Sequence, residues 1–320
     1  KTTPLHHQGR RQLSSRGLGG NIYNDRVVQA TLLKNTIMID QNSIRFMLGC
    51  HRLGVDFDTT LTLGSQEINF STLNIPEACR QSQTELKIPE SIANVRELFT
   101  HLKAGKLDEM DFSAYEGANI LHNLNDPIPD QLSGQYSVVF DGGTLEHIFN
   151  AAEGIRNAMK MVKAGGHLIL HNPSNNWFGH GFYQFSPEFY FRALSEENGF
   201  EIRRIVIHNT TDQWFEVKDP NEVRQRIELF GPERFMTLIC ARKVRQCDIF
   251  SRWPAQSDYS EMWTTDRTVI AKQHWLLDVR SKLKKLTPGW LLRFMHRHMG
   301  FLYRKYSVKN KQNFRQVDNF

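Results

Sequence analysis

The sequence predicts an α/β protein built on an open, doubly wound, mostly parallel sheet of seven strands, with helices on both faces. Three observations carry this. Residues 136–171 read as strand, turn, helix, glycine turn and strand, the right-handed crossover of a parallel sheet. From about residue 45 to 245, short β-branched runs alternate with stretches of helical spacing. The 320 residues, 40% of them hydrophobic, suffice for one large domain and appendages.

The elements follow in order. Residues 1–44, rich in Gly, Ser, Arg and His at their start, read as a flexible, basic arm. The domain proper spans 45–245. Its first strand is expected at 59–63, followed by a turn over Gly64, Ser65, Gln66 and Glu67. A helix is expected over 91–104, with Ser91 as cap and Gly105 as stop. A second strand runs over 106–112 and ends at Asp111; a third runs over 118–124 and closes at Asn125-Asp126-Pro127. The fourth, 136–141, is largely apolar, as suits a strand covered on both faces. Asp141-Gly142-Gly143 breaks it, and Thr144 can cap a helix whose apolar positions include Leu145, Ile148, Ile155, Met159 and Val162. Gly165-Gly166 stops that helix, and 167–171 resumes as strand. A helix should begin at Pro187 with Ser186 as cap. Two more strands are expected at 200–208 and 234–243, separated by a polar segment, 209–233.

Residues 246–320 read as a basic, helical, amphipathic extension. Within 279–311, which carries no acidic side chain, Leu291, Phe294, Met295, Met299 and Leu302 can share one helical face. That profile fits a helix lying on a membrane surface, and equally a terminal helix docked on the domain. Interleaved Trp290, Phe294 and Tyr303 also suit RNA. The net charge of +6 permits an anionic partner without demanding one. The four cysteines form no Cys-x-x-Cys pair, which argues against a zinc cluster and for a reducing, cytoplasmic setting. No apolar run spans a bilayer, and no secretory leader is visible.

In such a sheet, ligands bind at the carboxyl ends of the strands. The residues there include Asp141, Gly142, Gly143, Glu146 and His147. His147 is a candidate general base, or a positioning residue. The loop 172–185 gathers Asn175, Asn176, Trp177, His180, Tyr183 and Gln184. Its amides and rings suit a polar, ring-shaped acceptor, or a lid packed on its own aromatics. His180 is a second candidate base. No metal-ligand spacing is evident, and no metal is expected.

The order of motifs over about residues 55–245 resembles the class I S-adenosylmethionine-dependent methyltransferases, Rossmann-like in fold. Leu145-Glu146-His147 after the fourth strand and Lys163-Ala164-Gly165-Gly166 before the fifth carry the likeness. The resemblance implies that Asp111 accepts from both ribose hydroxyls, that Asn123 and Leu124 lie at the adenine, and that Asp141, Gly142 and Gly143 floor the pocket. It places Gly64, Ser65 and Gln66 where the family has a glycine-rich loop, of which one glycine survives. The Asn/Asp-Pro-Pro-aromatic signature of base and glutamine N-methylation is absent after the fourth strand, where Asp141-Gly142-Gly143-Thr144 stands. That counts against base N-methylation. The arrangement of a basic amphipathic tail after the fold loosely resembles methyltransferases of surface-glycan assembly. This looser resemblance implies a sugar hydroxyl or other small polar acceptor, and a cytoplasmic chain with the inner membrane surface as one place it can dock. The altered glycine loop keeps a second reading open, an inactive binding or scaffold protein, and the basic tail a third, an RNA methyltransferase.

Overall fold

The computed structural model describes residues 39–71, 73–114, 117–259, 288 and 306–320. The chain divides into Lys1–Thr36, outside the described residues, and Ile37–Phe320, which holds the sheet. In chain order the elements are α1 (Gln41–Arg52), β1 (Thr59–Leu63), α2 (Ile75–Ser82), α3 (Val95–His101), β2 (Lys106–Asp111) and β3 (Ile120–Leu121). Then come β4 (Tyr136–Asp141), α4 (Ala151–Met161), β5 (Val162–Asn175), α5 (Pro187–Ala193), β6 (Phe200–Asn209) and β7 (Trp214–Val217). Last are α6 (Pro220–Val223), β8 (Phe235–Lys243) and β9 (Phe314–Val317).

The sheet has nine strands in the order β3-β2-β1-β4-β5-β8-β6-β7-β9, not the seven expected. β3, β2, β1, β4 and β5 pair in parallel, whereas β8 runs antiparallel to both β5 and β6. β7 is antiparallel to β6 and β9 to β7, so the sheet is mixed. Both extra strands are four residues long, too short for alternation to mark them.

Because both faces are covered, odd and even positions of one strand enter different cores. Val139, Leu168, Leu170 and Ile239 pack with Ile155 and Met159 of α4 and Tyr190 of α5. Val138, Phe140, Ile169 and Leu238 pack with Ile44 and Phe46 of α1 and with residues of α2 and α3.

Several boundaries move, each for a local reason. The expected arm ends inside α1, which begins at Gln41 because Asp40 caps it: its carboxylate accepts from the Ser43 backbone N–H at 2.8 Å. Asn94, not Ser91, caps α3. α2, which the sequence did not suggest, is capped by Asn74. β3 shrinks to two residues because Asn123 Oδ1 accepts from the Asn125 backbone and amide, turning the chain. The single helix expected after β4 is broken. Leu145–His147 form a 3-10 turn, Asn150 is tied to Asn125, and α4 starts only at Ala151. Thr144 is no side-chain cap; its hydroxyl donates to the Leu63 carbonyl at 2.7 Å.

α4 also ends before Gly165-Gly166. Lys243 reaches across from β8 and donates to the Met159 and Val162 carbonyls at 2.9 and 2.8 Å, closing the helix end. The glycines belong to β5, where its register against β4 shifts between Tyr136 and Val138. A Cβ at Gly166 would lie 2.8 Å from the Ser137 carbonyl oxygen.

The described end of the extension is not helical. β9 pairs with β7, placing Val317 opposite Trp214, and Phe320 is buried against Phe46 and Trp214. The rest of the expected surface helix, from 279 to 305 save residue 288, lies outside the described residues. No helix among the described residues is long and apolar enough to cross a membrane.

Candidate active site at the strand carboxyl edge

The strand order reverses between β1 and β4, whose neighbours lead away in opposite directions. A doubly wound sheet opens a crevice at such a point, outside the strand carboxyl ends. Leu63 is level with both Asp141 and Met110, so the turns after β1, β2 and β4 meet there.

From the first turn, Gly64 takes φ +72° and donates its N–H to the Met110 carbonyl at 2.7 Å. The Ser65 N–H donates to Asp111 Oδ2 at 3.2 Å. Gln66 folds back, its amide donating to the Leu63 carbonyl at 2.7 Å. The Gln66 Oε1 atom then lies over Gly142, where any Cβ would overlap it. Gly143 has φ +104°, a conformation that suits glycine. Asp111 also accepts from the Ser113 N–H at 3.2 Å. Asn123 is committed to its own turn, and Leu124 is buried in the core beside α4.

The second part of the site is buried and polar. Asp141 and Glu146 are both 0% exposed. One nitrogen serves them: Asn172 Nδ2 donates to Asp141 Oδ2 at 2.6 Å and to Glu146 Oε2 at 3.1 Å. The Tyr190 hydroxyl completes the set by donating to Asn172 Oδ1 at 2.8 Å. Burial, and then the Glu146 carboxylate, push Asp141 up to about 7, against the bonds from Asn172 and Thr144. Burial pushes the Tyr190 hydroxyl well up, and the two acids add to that. Glu146 belongs to the Leu145-Glu146-His147 run that the sequence singled out. Asn172, expected at the start of the loop 172–185, lies instead inside β5 opposite Thr237, and nothing in the sequence pointed to Tyr190.

The two candidate bases meet here. The rings of His147 and His180 are 4.9 Å apart, edge to face. His180 Nε2 lies 3.3 Å from Glu146 Oε1. Burial, and to a lesser degree His180, hold His147 below the usual imidazole range, against the pull of Glu146. The loop is docked by its backbone: Phe182 and Tyr183 N–H groups donate to the Glu146 carbonyl at 2.7 and 3.2 Å.

The loop's amides are used internally. Asn176 donates to the Gly231 and Glu233 carbonyls, both at 2.6 Å. Gln184 accepts from the Trp177 N–H at 2.6 Å, the Trp177 indole donates to the Phe235 carbonyl, and the Tyr183 hydroxyl to the Phe149 carbonyl. Asn175 ends β5 opposite Phe235. Several aromatic rings face outward at this edge. Phe112, Phe149, Phe178 and Phe182 are 76%, 70%, 97% and 64% exposed, and all follow carboxyl ends of central strands.

Strand order, switch-point crevice and acidic strand ends together define an open, doubly wound α/β fold with a mixed sheet. No protein-family model and no curated protein matches the chain. Solved structures give low-scoring similarities. Geranyl diphosphate methyltransferase in complex with SAM is 14% identical, over 71% of this chain and 93% of that one, with a TM-score of 0.36. The 1,6-didemethyltoxoflavin-N1-methyltransferase of Burkholderia thailandensis, with S-adenosylhomocysteine bound, is 10% identical over 72% and 94%, with a TM-score of 0.35. The branched-chain polyamine synthase of Thermus thermophilus is 12% identical over 67% and 57%, with a TM-score of 0.36.

Proposed function

We propose that the chain transfers a methyl group from S-adenosylmethionine to an oxygen of a small polar acceptor, a sugar hydroxyl being the preferred one. The observation that carries this is the convergence, at one switch point, of Asp111, the bare backbone of Gly143 and the buried Asp141–Asn172–Glu146 cluster. Asp111 keeps acceptor capacity for ribose hydroxyls beyond its two backbone bonds. Gly64 and Gly143 would border the methionine part. A ligand that reaches Gly142 displaces Gln66.

When bound, the cofactor supplies a methyl group on a sulfonium, open to direct displacement. The chain's part is to align the acceptor, exclude water and take a proton. His147 is exposed at the crevice and, with its imidazole held below the usual range, is neutral at pH 7 and able to accept that proton. The exposed rings would stack on a ring-shaped acceptor and shield it.

Calorimetric titration with S-adenosylhomocysteine tests the reading. Saturable binding with a Kd of about 1–100 μM is expected. No heat at about 1 mM overturns it. A methyl-transfer screen on sugar acceptors then tests the acceptor. The packing of Gln66 over Gly142 favours a second reading, a binding module of the same fold, and that first titration separates the two. Contact with a membrane surface through 279–311 is tested by liposome flotation with and without that segment; equal flotation overturns it.

A further inference from the structure

We infer that Glu146, His147 and His180 form a binding site for a divalent transition-metal ion, with zinc the ion that its donors suit best. Each residue offers one ligand atom, and these atoms all lie within 4.8 Å of one another. The geometry of the cluster looks unfinished without a cation. Glu146 is fully buried, yet its Oε1 has no hydrogen-bond partner. His180 Nε2 is buried and without one as well, although the two atoms face each other at 3.3 Å. The contact at 3.3 Å is an ion pair only if His180 is protonated and is not a hydrogen bond, and a shared cation would satisfy the carboxylate oxygen and the imidazole together.

The surroundings are those of a built site. Asn172 holds the other Glu146 oxygen, and Tyr190 holds Asn172. Such partners fix the direction in which a ligand points. The loop that carries His180 is fastened to the Glu146 carbonyl by two N–H groups. Gly181 allows this approach, since a Cβ there would lie 2.8 Å from that carbonyl oxygen. The Trp177 ring meets His180 edge to face at 5.8 Å.

Two imidazoles and one carboxylate suit zinc or ferrous iron, whereas magnesium and calcium prefer oxygen ligands throughout. Three protein ligands would leave a coordination position open, and His147 is exposed to solvent. A second cluster, Asp40, His171 and His208, is comparably compact but internally satisfied. Its rings bond to each other at 2.9 Å, and Ser43 links His171 to Asp40. It serves as the control. If the methyltransferase reading holds, an ion held there would take over from His147, whose ligating imidazole could no longer accept a proton, by making an acceptor oxygen in the open position lose its proton more readily. That consequence rests on the reading; the site does not.

Zinc sulfate is titrated calorimetrically into chelator-treated full-length protein, without cofactor. One equivalent is expected with submicromolar affinity. Glu146→Gln and His180→Ala should each weaken it about 100-fold, and His208→Ala should leave it unchanged. Cobalt should give visible absorption bands that the same two variants lose. Circular dichroism checks folding; if Glu146→Gln unfolds, His180→Ala decides. No zinc binding, which would leave Glu146 and His180 a plain ion pair, overturns the proposal. So does binding that survives His180→Ala or that His208→Ala abolishes. Zinc binding without S-adenosylhomocysteine binding counts against the methyltransferase reading alone, and the reverse counts against the metal site alone.

Discussion

The Tyr190 hydroxyl donates to Asn172 Oδ1, and that bond decides which end of the Asn172 amide faces the acids. With its oxygen taken, the amide nitrogen is left to serve both carboxylates. Tyr190→Phe leaves a buried acceptor unpaired and should cost about 1–2 kcal/mol of unfolding free energy. Asn172→Leu strips two buried acids of their shared donor and should cost about 3 kcal/mol or more. Urea unfolding of both variants and the double variant checks this. The double variant should lose less than the sum, because Tyr190 acts through Asn172; strictly additive losses would contradict that.

Gln66 offers a direct test of access to the crevice. Its amide oxygen lies where a ligand approaching Gly142 must pass. Gln66→Gly should therefore tighten S-adenosylhomocysteine binding, by about tenfold if removing the side chain saves about 1.4 kcal/mol. Gly142→Ala should abolish binding and lower stability, since the new methyl group meets both Gln66 and the Phe140 ring. Calorimetry reads the first effect and thermal unfolding the second. An unchanged affinity in Gln66→Gly would move the ligand site away from this turn.

The central strands were legible because a run such as 136–141, buried on both faces, is largely apolar, and its interior polar residue, Ser137, is bonded to Thr59 of the neighbouring strand. β1 was expected at 59–63 and β2 ends at Asp111 as expected. The helix after β4 was not legible. Its apolar spacing continues through Ile148, but Asn125 captures Asn150 from a distant turn, and no local pattern records that bond. The edge of the sheet escaped for a similar reason: β7 and β9 are defined by each other, about a hundred residues apart. At the site, the sequence singled out His147 and His180 separately. Their meeting at Glu146 depends on the loop after β5 folding back over the turn after β4, which is a tertiary relationship.

Acid should weaken the fold through its buried histidines. Burial holds His171 at about 4, with Asp40 pulling the other way, and burial likewise holds His167 at about 4, helped by Arg242 and Arg203. Both lie below the ordinary 6.5, so the folded state keeps them neutral where the unfolded chain would bind protons. Stability from these groups is complete above pH 6.5 and is lost as pH falls towards 4. For His171 the loss between pH 7 and 5 is about 1–2 kcal/mol. Asp141, raised to about 7, acts with the opposite sign between pH 4 and 7. The variant His167→Gln isolates one contribution: its unfolding free energy should fall less than the wild type's between pH 7 and 5 in urea titrations. Parallel pH profiles would show that His167 titrates normally.

Phe320 and Gly49 give the last prediction, one in which an ordinary substitution reverses its sign. Gly49 lies inside α1, where Gly→Ala normally stabilises a helix by about 1 kcal/mol. Here any Cβ would overlap the Phe320 ring, which is buried between Phe46 and Trp214. Arg52 of the same helix donates to the Phe320 carbonyl, so the ring has little freedom to retreat. Gly49→Ala should therefore destabilise, by about 1–3 kcal/mol as for other overpacked cores. Phe320→Ala should cost about 3 kcal/mol by leaving a cavity. The combination carries the argument: in the Phe320→Ala background the added methyl group enters that cavity, and Gly49→Ala should become neutral or stabilising. Thermal unfolding of the four proteins measures this coupling. Equal costs for Gly49→Ala in both backgrounds would mean that the carboxyl-terminal segment does not sit on α1 in solution.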